Sequence, residues 1–369
     1  MKAVAVICEY NPFHNGHICL LSEIKKAFPE HAVISVMSGT AVQRGDFAVQ
    51  NKYVRAENAL RGGSDLVLEL PFPFSVSAAE QFAKAGVYIS HGVGAEILAF
   101  GSESGNPAML KKVAERLSAP SFDKELKKEA EKNPDEPFIA VRERVYFRLY
   151  GEKLPATGND ILGVEYLKNT EKYENIAPYV IHRTAPFSAT AARKSIFNGD
   201  VAEKCRLLPS GDVEGEIHAG LKGFYPLVLG YLRLTPSGDT GNGLRNAIKQ
   251  AAERATDFDS FNELLPTKNY TLARLRREIM SMLFDVSDED KNALPEYTVL
   301  LGATEKGLKY LSERKKSLSL PILTKKADAK NLNEKGKRQL EKAEKCDSIY
   351  ALGLKTEIGA YFKTPIIYK

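Results

Sequence analysis

The stretch Lys2-Ala3-Val4-Ala5-Val6-Ile7-Cys8-Glu9-Tyr10-Asn11-Pro12-Phe13-His14-Asn15-Gly16-His17-Ile18-Cys19-Leu20 decides the fold. Its first seven residues are Val/Ala-rich and apolar on both faces, as in a short strand buried inside a parallel sheet. Asn11-Pro12 punctuates a turn over residues 9–16. Leu20, Leu21, Ile24 and Ala27 then recur at helical spacing, predicting a helix over 18–28. Ligands of open α/β sheets bind at the carboxyl ends of strands. A helix starting there offers free N–H groups and the positive end of its dipole to an anion. His14 and His17, three apart, fall on one side of the first turn. Two imidazole N–H donors converging on one point suit a phosphate whose charge grows during displacement. Gly16 between them has no Cβ to keep a nucleotide from the backbone.

Outward from this junction the alternation continues. Strands are expected over 32–37, 65–70 and 96–100, helices over 52–60 and 78–90, and a polar loop over 38–46. Such alternation predicts an α/β fold with a Rossmann-like, doubly wound parallel sheet. Residues 109–150 read as helical and charge-rich, broken near Pro134 and Pro137, and 176–182 as a further strand. Ser188-Ala189-Thr190-Ala191-Ala192-Arg193 opens a helix over 188–197, with Ser188 as its N-cap. Hydroxyls and free N–H groups there, with Arg193 one turn in, can clamp the outer phosphates of a triphosphate. Beyond Gly199 the pattern turns helical (227–234, 243–254, 270–284). It ends in a small αβ segment, with strands at 297–301 and 320–323, each followed by a helix. The expected division is 1–199, a nucleotide-binding domain built on that first junction, and 200–369, a mainly helical C-terminal domain.

The 369 residues suit about two domains at roughly 150 residues each. An apolar fraction of 43% with 27% charged residues excludes a disordered chain, a collagen-like repeat and a disulfide-dense mini-protein. No window approaches the apolar length of a spanning helix, so no membrane is expected. Glu9 ends the first apolar run too soon for a signal peptide. Cys8, Cys19, Cys205 and Cys346 form no CxxC pair and fit a reducing cytoplasm. Cys8, His14, His17 and Cys19 lie close in sequence, but Cys8 belongs to the strand and the helix turns Cys19 away from His17. No metal site is therefore expected there. The net charge is +5, and residues 266–345 hold 18 Lys/Arg against 12 Asp/Glu, so the excess lies in the C-terminal part. A polyanion is expected there, with Arg274, Arg276 and Arg277 on one helix as candidate RNA contacts. Solvated helix faces are the competing reading. Arg44 and Lys52 can meet a phosphate or carboxylate, or pair with Asp46 and Glu57.

His14-Asn15-Gly16-His17 resembles the signature of the HIGH nucleotidyltransferase superfamily. The wider set is more specific: Glu9 to His17, Met37-Ser38-Gly39, Gln43-Arg44-Gly45-Asp46, Lys52, Arg55-Ala56-Glu57 and Asp65 to Pro71. It resembles the bacterial tRNA(Met) cytidine acetate ligases, and the likeness continues at Asn159 to Tyr166, Ser188 to Lys194 and, more loosely, Lys268 to Arg277. The segment from Thr184 to Phe187 is shorter than the family's usual loop. The resemblance implies nucleotide contacts along Ile7 to Leu20 and at Gly101, Asn159, Arg183, Ser188, Thr190 and Arg193, with His14 and His17 catalytic. It implies ATP with Mg²⁺ bridging the phosphates, acetate as substrate and elongator tRNA(Met) as partner. Acetate would attack the α-phosphate, and the wobble cytidine amine would then take the acetyl group to give N4-acetylcytidine. Two other readings compete. A small-molecule adenylyltransferase of cofactor biosynthesis would not need the basic C-terminal part. A non-catalytic RNA-binding protein would not need the histidine pair and the Ser188 string. Oligomeric state is not legible.

Overall fold

A computed structural model of the chain describes residues 1–133, 136–184, 186–211, 215–235, 243–268, 270–354 and 362–368. The first half runs β1 (Ala3–Cys8), α1 (Asn15–Ala27), β2 (Ala32–Ser38), β3 (Ala41–Val42), β4 (Asp46–Phe47), α2 (Lys52–Arg61), β5 (Leu66–Leu70), α3 (Ala79–Gly92) and β6 (Ile97–Ser102). Then come α4 (Pro107–Ser118), α5 (Pro120–Lys132), α6 (Phe138–Tyr150), α7 (Gly158–Thr170), β7 (Ala177–His182) and α8 (Ala189–Asn198). The second half adds α9 (Val201–Leu207), α10 (Tyr225–Leu234), α11 (Gly243–Arg254), α12 (Phe258–Leu264), α13 (Leu272–Leu283) and α14 (Asp288–Asn292). It closes with β8 (Thr298–Thr304), α15 (Glu305–Arg314), β9 (Ile322–Leu323), α16 (Glu334–Gly353) and β10 (Ile366–Tyr368).

The main sheet has the order β10-β8-β5-β2-β1-β6-β7, with β9 beside β8. Its pairs are parallel except β5 with β8. Alternate residues of β1 enter different cores: Val4 and Val6 pack with Leu21 and Ile24 of α1, while Ala3, Ala5 and Ile7 pack with Phe82 and Ala83 of α3. Burial on both faces is why the strand reads as a continuous apolar run. The doubly wound α/β expectation therefore holds for this sheet.

In the C-terminal part the elements β8, α15, β9 and α16 fall where they were expected, but their placement differs. β8 does not stand in a separate αβ tail; it lies antiparallel to β5, with Leu66 opposite Ala303 and Val67 opposite Gly302. Val299 and Leu301 join the core of α1 and α2, and Leu300 and Ala303 the core of α3. A strand apolar on both faces needs a layer on each side, and only the main sheet supplies two. Leu275 and Ile279 of α13 and Leu340 and Cys346 of α16 lie in the same core as α1. Sheet and core thus continue across residue 199.

Two local features were also missed. The loop over 38–46 contains the antiparallel β3–β4 pair, Ala41 opposite Phe47. The helical stretch from 109 breaks at Ala119, where Pro120 opens α5 at a position that tolerates its missing N–H. Pro134, one of the expected breaks, lies outside the described residues.

Candidate active site

The carboxyl ends of β1, β6 and β7 and the N-termini of α1 and α8 surround a cleft of about 1090 Å³. The β1–α1 turn is held by its own side chains. His14 caps α1: its Nδ1 accepts the Gly16 N–H at 3.1 Å, while the His14 N–H donates to His17 Nδ1 at 3.1 Å. Two histidines here do what Ser/Thr and Glu do in a capping box. Because each Nδ1 accepts, each ring carries its proton on Nε2. The rings stack at 3.7 Å with 22° between planes, and both residues line the cleft. Burial pushes the His14 imidazole down to about 4, reinforced by Arg183 and Arg193. Burial likewise holds His17 well below its usual value, helped by His14 and Arg183. Both imidazoles are neutral donors at pH 7. A Cβ on Gly16 would come within 2.9 Å of the His14 ring, so a larger residue there would shift that ring.

A buried cation fixes the strand ends beneath this turn. Arg55 of α2 is fully buried and donates to the backbone oxygens of Glu9 (2.6 Å), Ser38 (2.9 Å), Gln50 (3.0 Å) and Gly39. It ties the chain after β1 to the chain after β2. Lys52, one turn earlier, is also buried. Its Nζ lies 3.1 Å from Glu69 and 2.9 Å from Asp347 of α16. Burial opposes its charge, but Asp347 and Glu69 outweigh that and keep its pKa above the ordinary value. Lys52 therefore pairs in the interior, not with Asp46 or Glu57. Arg44 is exposed on the cleft wall.

The other candidates divide into those on the wall and those behind it. Ile7, Cys8, Glu9, Tyr10, Asn11, Cys19, Leu20, Gly101, Asn159, Arg183, Ser188 and Thr190 join the histidines and Gly16 on the cleft wall. Phe13 is buried against Tyr10, and Asn15 donates to the Arg206 carbonyl at 3.0 Å. Pro12 and Ile18 belong to the turn and to the inner face of α1. Arg193 stands behind the wall. It donates to the Asn11 carbonyl at 2.6 Å and to Thr190 Oγ1 at 3.3 Å, bracing α8 against the β1–α1 turn. Ser188 caps α8, accepting the Ala191 N–H at 3.1 Å, as its place before the helix predicts. The Arg183 side chain crosses Gly101, where a Cβ would sit 2.7 Å from its Cδ. Arg183 donates to the Phe187 carbonyl at 3.2 Å across the short connection.

Sequence reasoning missed Arg55 as a brace and missed Glu103. Glu103 lines the cleft and accepts from the Asn159 side-chain amide. Its position two residues past Gly101, at a strand end, is the signal that could have found it.

The basic residues of α13 occupy a different setting. Arg277 donates to the Gln43 carbonyl at 3.1 Å, and Arg276 lies 3.6 Å from Asp46. Glu9 Oε1 accepts the Gln43 N–H at 2.7 Å, so the Gln43 peptide is held from both sides. Arg274 is exposed, with its guanidinium 4.7 Å from the Tyr270 ring centroid. Among the described residues no helix is long and apolar enough to cross a membrane, and no group of three His/Cys/Asp/Glu is placed to hold a metal.

The family model of the HIGH Nucleotidyl Transferase matches residues 1–361. The tRNA(Met) cytidine acetate ligase of Caldanaerobacter subterraneus subsp. tengcongensis is 34% identical, covering 96% of each chain. That of Acetivibrio thermocellus is 33% identical, covering 92% of each. The apo crystal structure of Thermotoga maritima TmcAL superposes with a TM-score of 0.91 at 29% identity, over 100% of this chain and 99% of that one. The same protein bound with alpha-thio ATP gives 0.90.

Proposed function

The chain belongs to the HIGH nucleotidyl transferase family, among the tRNA(Met) cytidine acetate ligases, and from that premise we propose that it joins acetate to a tRNA cytidine at the expense of ATP. Acetate attacks the α-phosphate and pyrophosphate leaves. The N4 amine of the wobble cytidine of elongator tRNA(Met) then attacks the acetyl carbonyl, releasing AMP. The observation that carries this reading is the pair of neutral, stacked imidazoles with both Nε2–H groups beside the α1 N-terminus. Two such donors stabilise the charge that accumulates on the α-phosphate oxygens as the bond to pyrophosphate breaks.

Ser188 and Thr190, with the free N–H groups of α8, are placed in this scheme to hold the leaving pyrophosphate. Arg193 orients them from behind through Thr190 and Asn11. Magnesium belongs to the same proposal. It would be held mainly by phosphate oxygens, with Glu9, a wall carboxylate at the end of β1, as a protein group that would face it, and it would supply charge neutralisation there. The C-terminal helices form the tRNA platform of residues 200–369, and the protein works in the cytoplasm. The test is incubation with ATP and labelled acetate, with and without tRNA. Labelled adenylate without tRNA, and labelled N4-acetylcytidine with it, are expected. Pyrophosphate release that requires a mononucleotide-like acceptor instead of acetate would sink the reading.

A further inference from the structure

Glu103 carries a feature that the acetate chemistry leaves unused. One carboxylate oxygen, Oε1, accepts the Asn159 side-chain N–H and lies 3.7 Å from Arg183 Nη1. The other, Oε2, is buried and has no hydrogen-bond partner among the described residues. A buried carboxylate oxygen without a donor bears a desolvation cost that a bound donor removes. Asn159 and Arg183 thus hold one oxygen, the second has no donor among the described residues, and the Glu103 residue lines the cleft.

The chemistry of that donor is narrow. Phosphate oxygens accept and carry like charge, so they are not partners for a carboxylate. Sugar hydroxyls donate. β6 pairs directly with β1, so its end lies about 4.8 Å to the side of the strand from which the histidines turn. The ribose is the part of a nucleotide bonded directly to the α-phosphate. An α-phosphate at His14 and His17 therefore brings the sugar, not the base, over the end of β6. We infer that Glu103 recognises the ribose, accepting a hydroxyl hydrogen on Oε2, with Asn159 and Arg183 as its positioning residues. The inference rests on the nucleotide reading above and adds a selectivity to it: ribonucleoside over deoxyribonucleoside triphosphate.

The test measures binding of ATP, 2′-deoxy-ATP and 3′-deoxy-ATP to the full-length wild type, Glu103→Gln and Glu103→Ala by calorimetry, with melting temperatures in parallel. The wild type binds at least one deoxynucleotide about tenfold more weakly than ATP, the scale of a hydrogen bond to a charged group. Glu103→Ala binds ATP only as well as the wild type binds that deoxynucleotide and no longer separates the two. Glu103→Gln, which keeps an acceptor oxygen but no charge, falls between, and it carries the test should the alanine variant fail to fold. An equal loss for all three nucleotides gives Glu103 a merely structural role and overturns the inference. So does a wild type that binds all three alike, or a variant whose altered preference is for the base, read with ITP. A wild type that binds no ATP removes the nucleotide reading itself and Glu103 with it.

Discussion

The turn after β1 and the helix α13 both look, in sequence, like places to hold phosphate. In the folded chain they are opposites. At the turn, the backbone uses only Nδ1 of each histidine, and both Nε2–H groups remain beside the cleft. On α13, Arg277 is engaged by the Gln43 carbonyl and Arg276 faces Asp46, so both brace the loop that borders the cleft. Burial raises the Asp46 carboxyl, with the Leu221 N–H and Arg276 opposing, and lowers Arg277. The difference teaches that a cationic or donor group is a binding candidate only to the extent that the fold leaves its donors unclaimed.

The sharpest way to break that contrast is to remove a histidine. His17→Ala is expected to lower acetate-dependent adenylate formation by about 10²- to 10³-fold, the scale of losing one preorganised donor. Its tRNA affinity should stay within about twofold. His14→Ala adds a loss of about 1 kcal/mol in unfolding free energy, because the cap of α1 goes with it. Unchanged turnover in His17→Ala would put the two regions on an equal footing.

Next in size is the brace. Arg276→Ala/Arg277→Ala should cost about 1–3 kcal/mol in denaturant unfolding through the contacts to Asp46 and Gln43. The salt slope of tRNA binding should hold. A slope reduced by about two with stability intact would make α13 an RNA face after all.

A smaller effect sharpens the histidine side. His14 and His218 both titrate at about 4 because they are buried, and His17 is lowered as well. Between pH 6.5 and 4 the unfolded chain therefore binds protons that the folded chain refuses. Their stability contribution is complete above 6.5 and is lost as pH falls, by up to about 1.4 kcal/mol per pH unit for each group. Urea unfolding at pH 7 and 5 should show a shallower pH dependence in His14→Ala than in the wild type. kcat/KM for ATP should show no falling limb near 6.5. The smallest effect belongs to Arg274→Ala. This exposed cation should change the tRNA salt slope by about one unit at most and leave adenylate formation alone.

Much of the fold was legible because the strands of a doubly wound sheet are apolar on both faces and their helices are periodic. Lys2 to Leu20 alone located the first junction, and Ser188 marked its helix start correctly. What escaped was long-range. Nothing local in Thr298–Thr304 says that it pairs with Leu66–Leu70, and a strand that returns from far along the chain reads as a tail. The same limit applied to charge. Lys52 looked exposed because one of its two partners, Asp347, is some three hundred residues away in sequence, and nothing local shows that Glu69 is turned toward it. Arg193 read as a clamp because its Asn11 acceptor is a backbone carbonyl, invisible to side-chain patterns.

A crystal structure with a non-hydrolysable ATP analogue tests the central claim most directly. The account predicts an α-phosphate oxygen within hydrogen-bonding distance of Nε2 of both His14 and His17. An analogue bound with its α-phosphate anywhere else, and those Nε2 atoms turned to water, would contradict it.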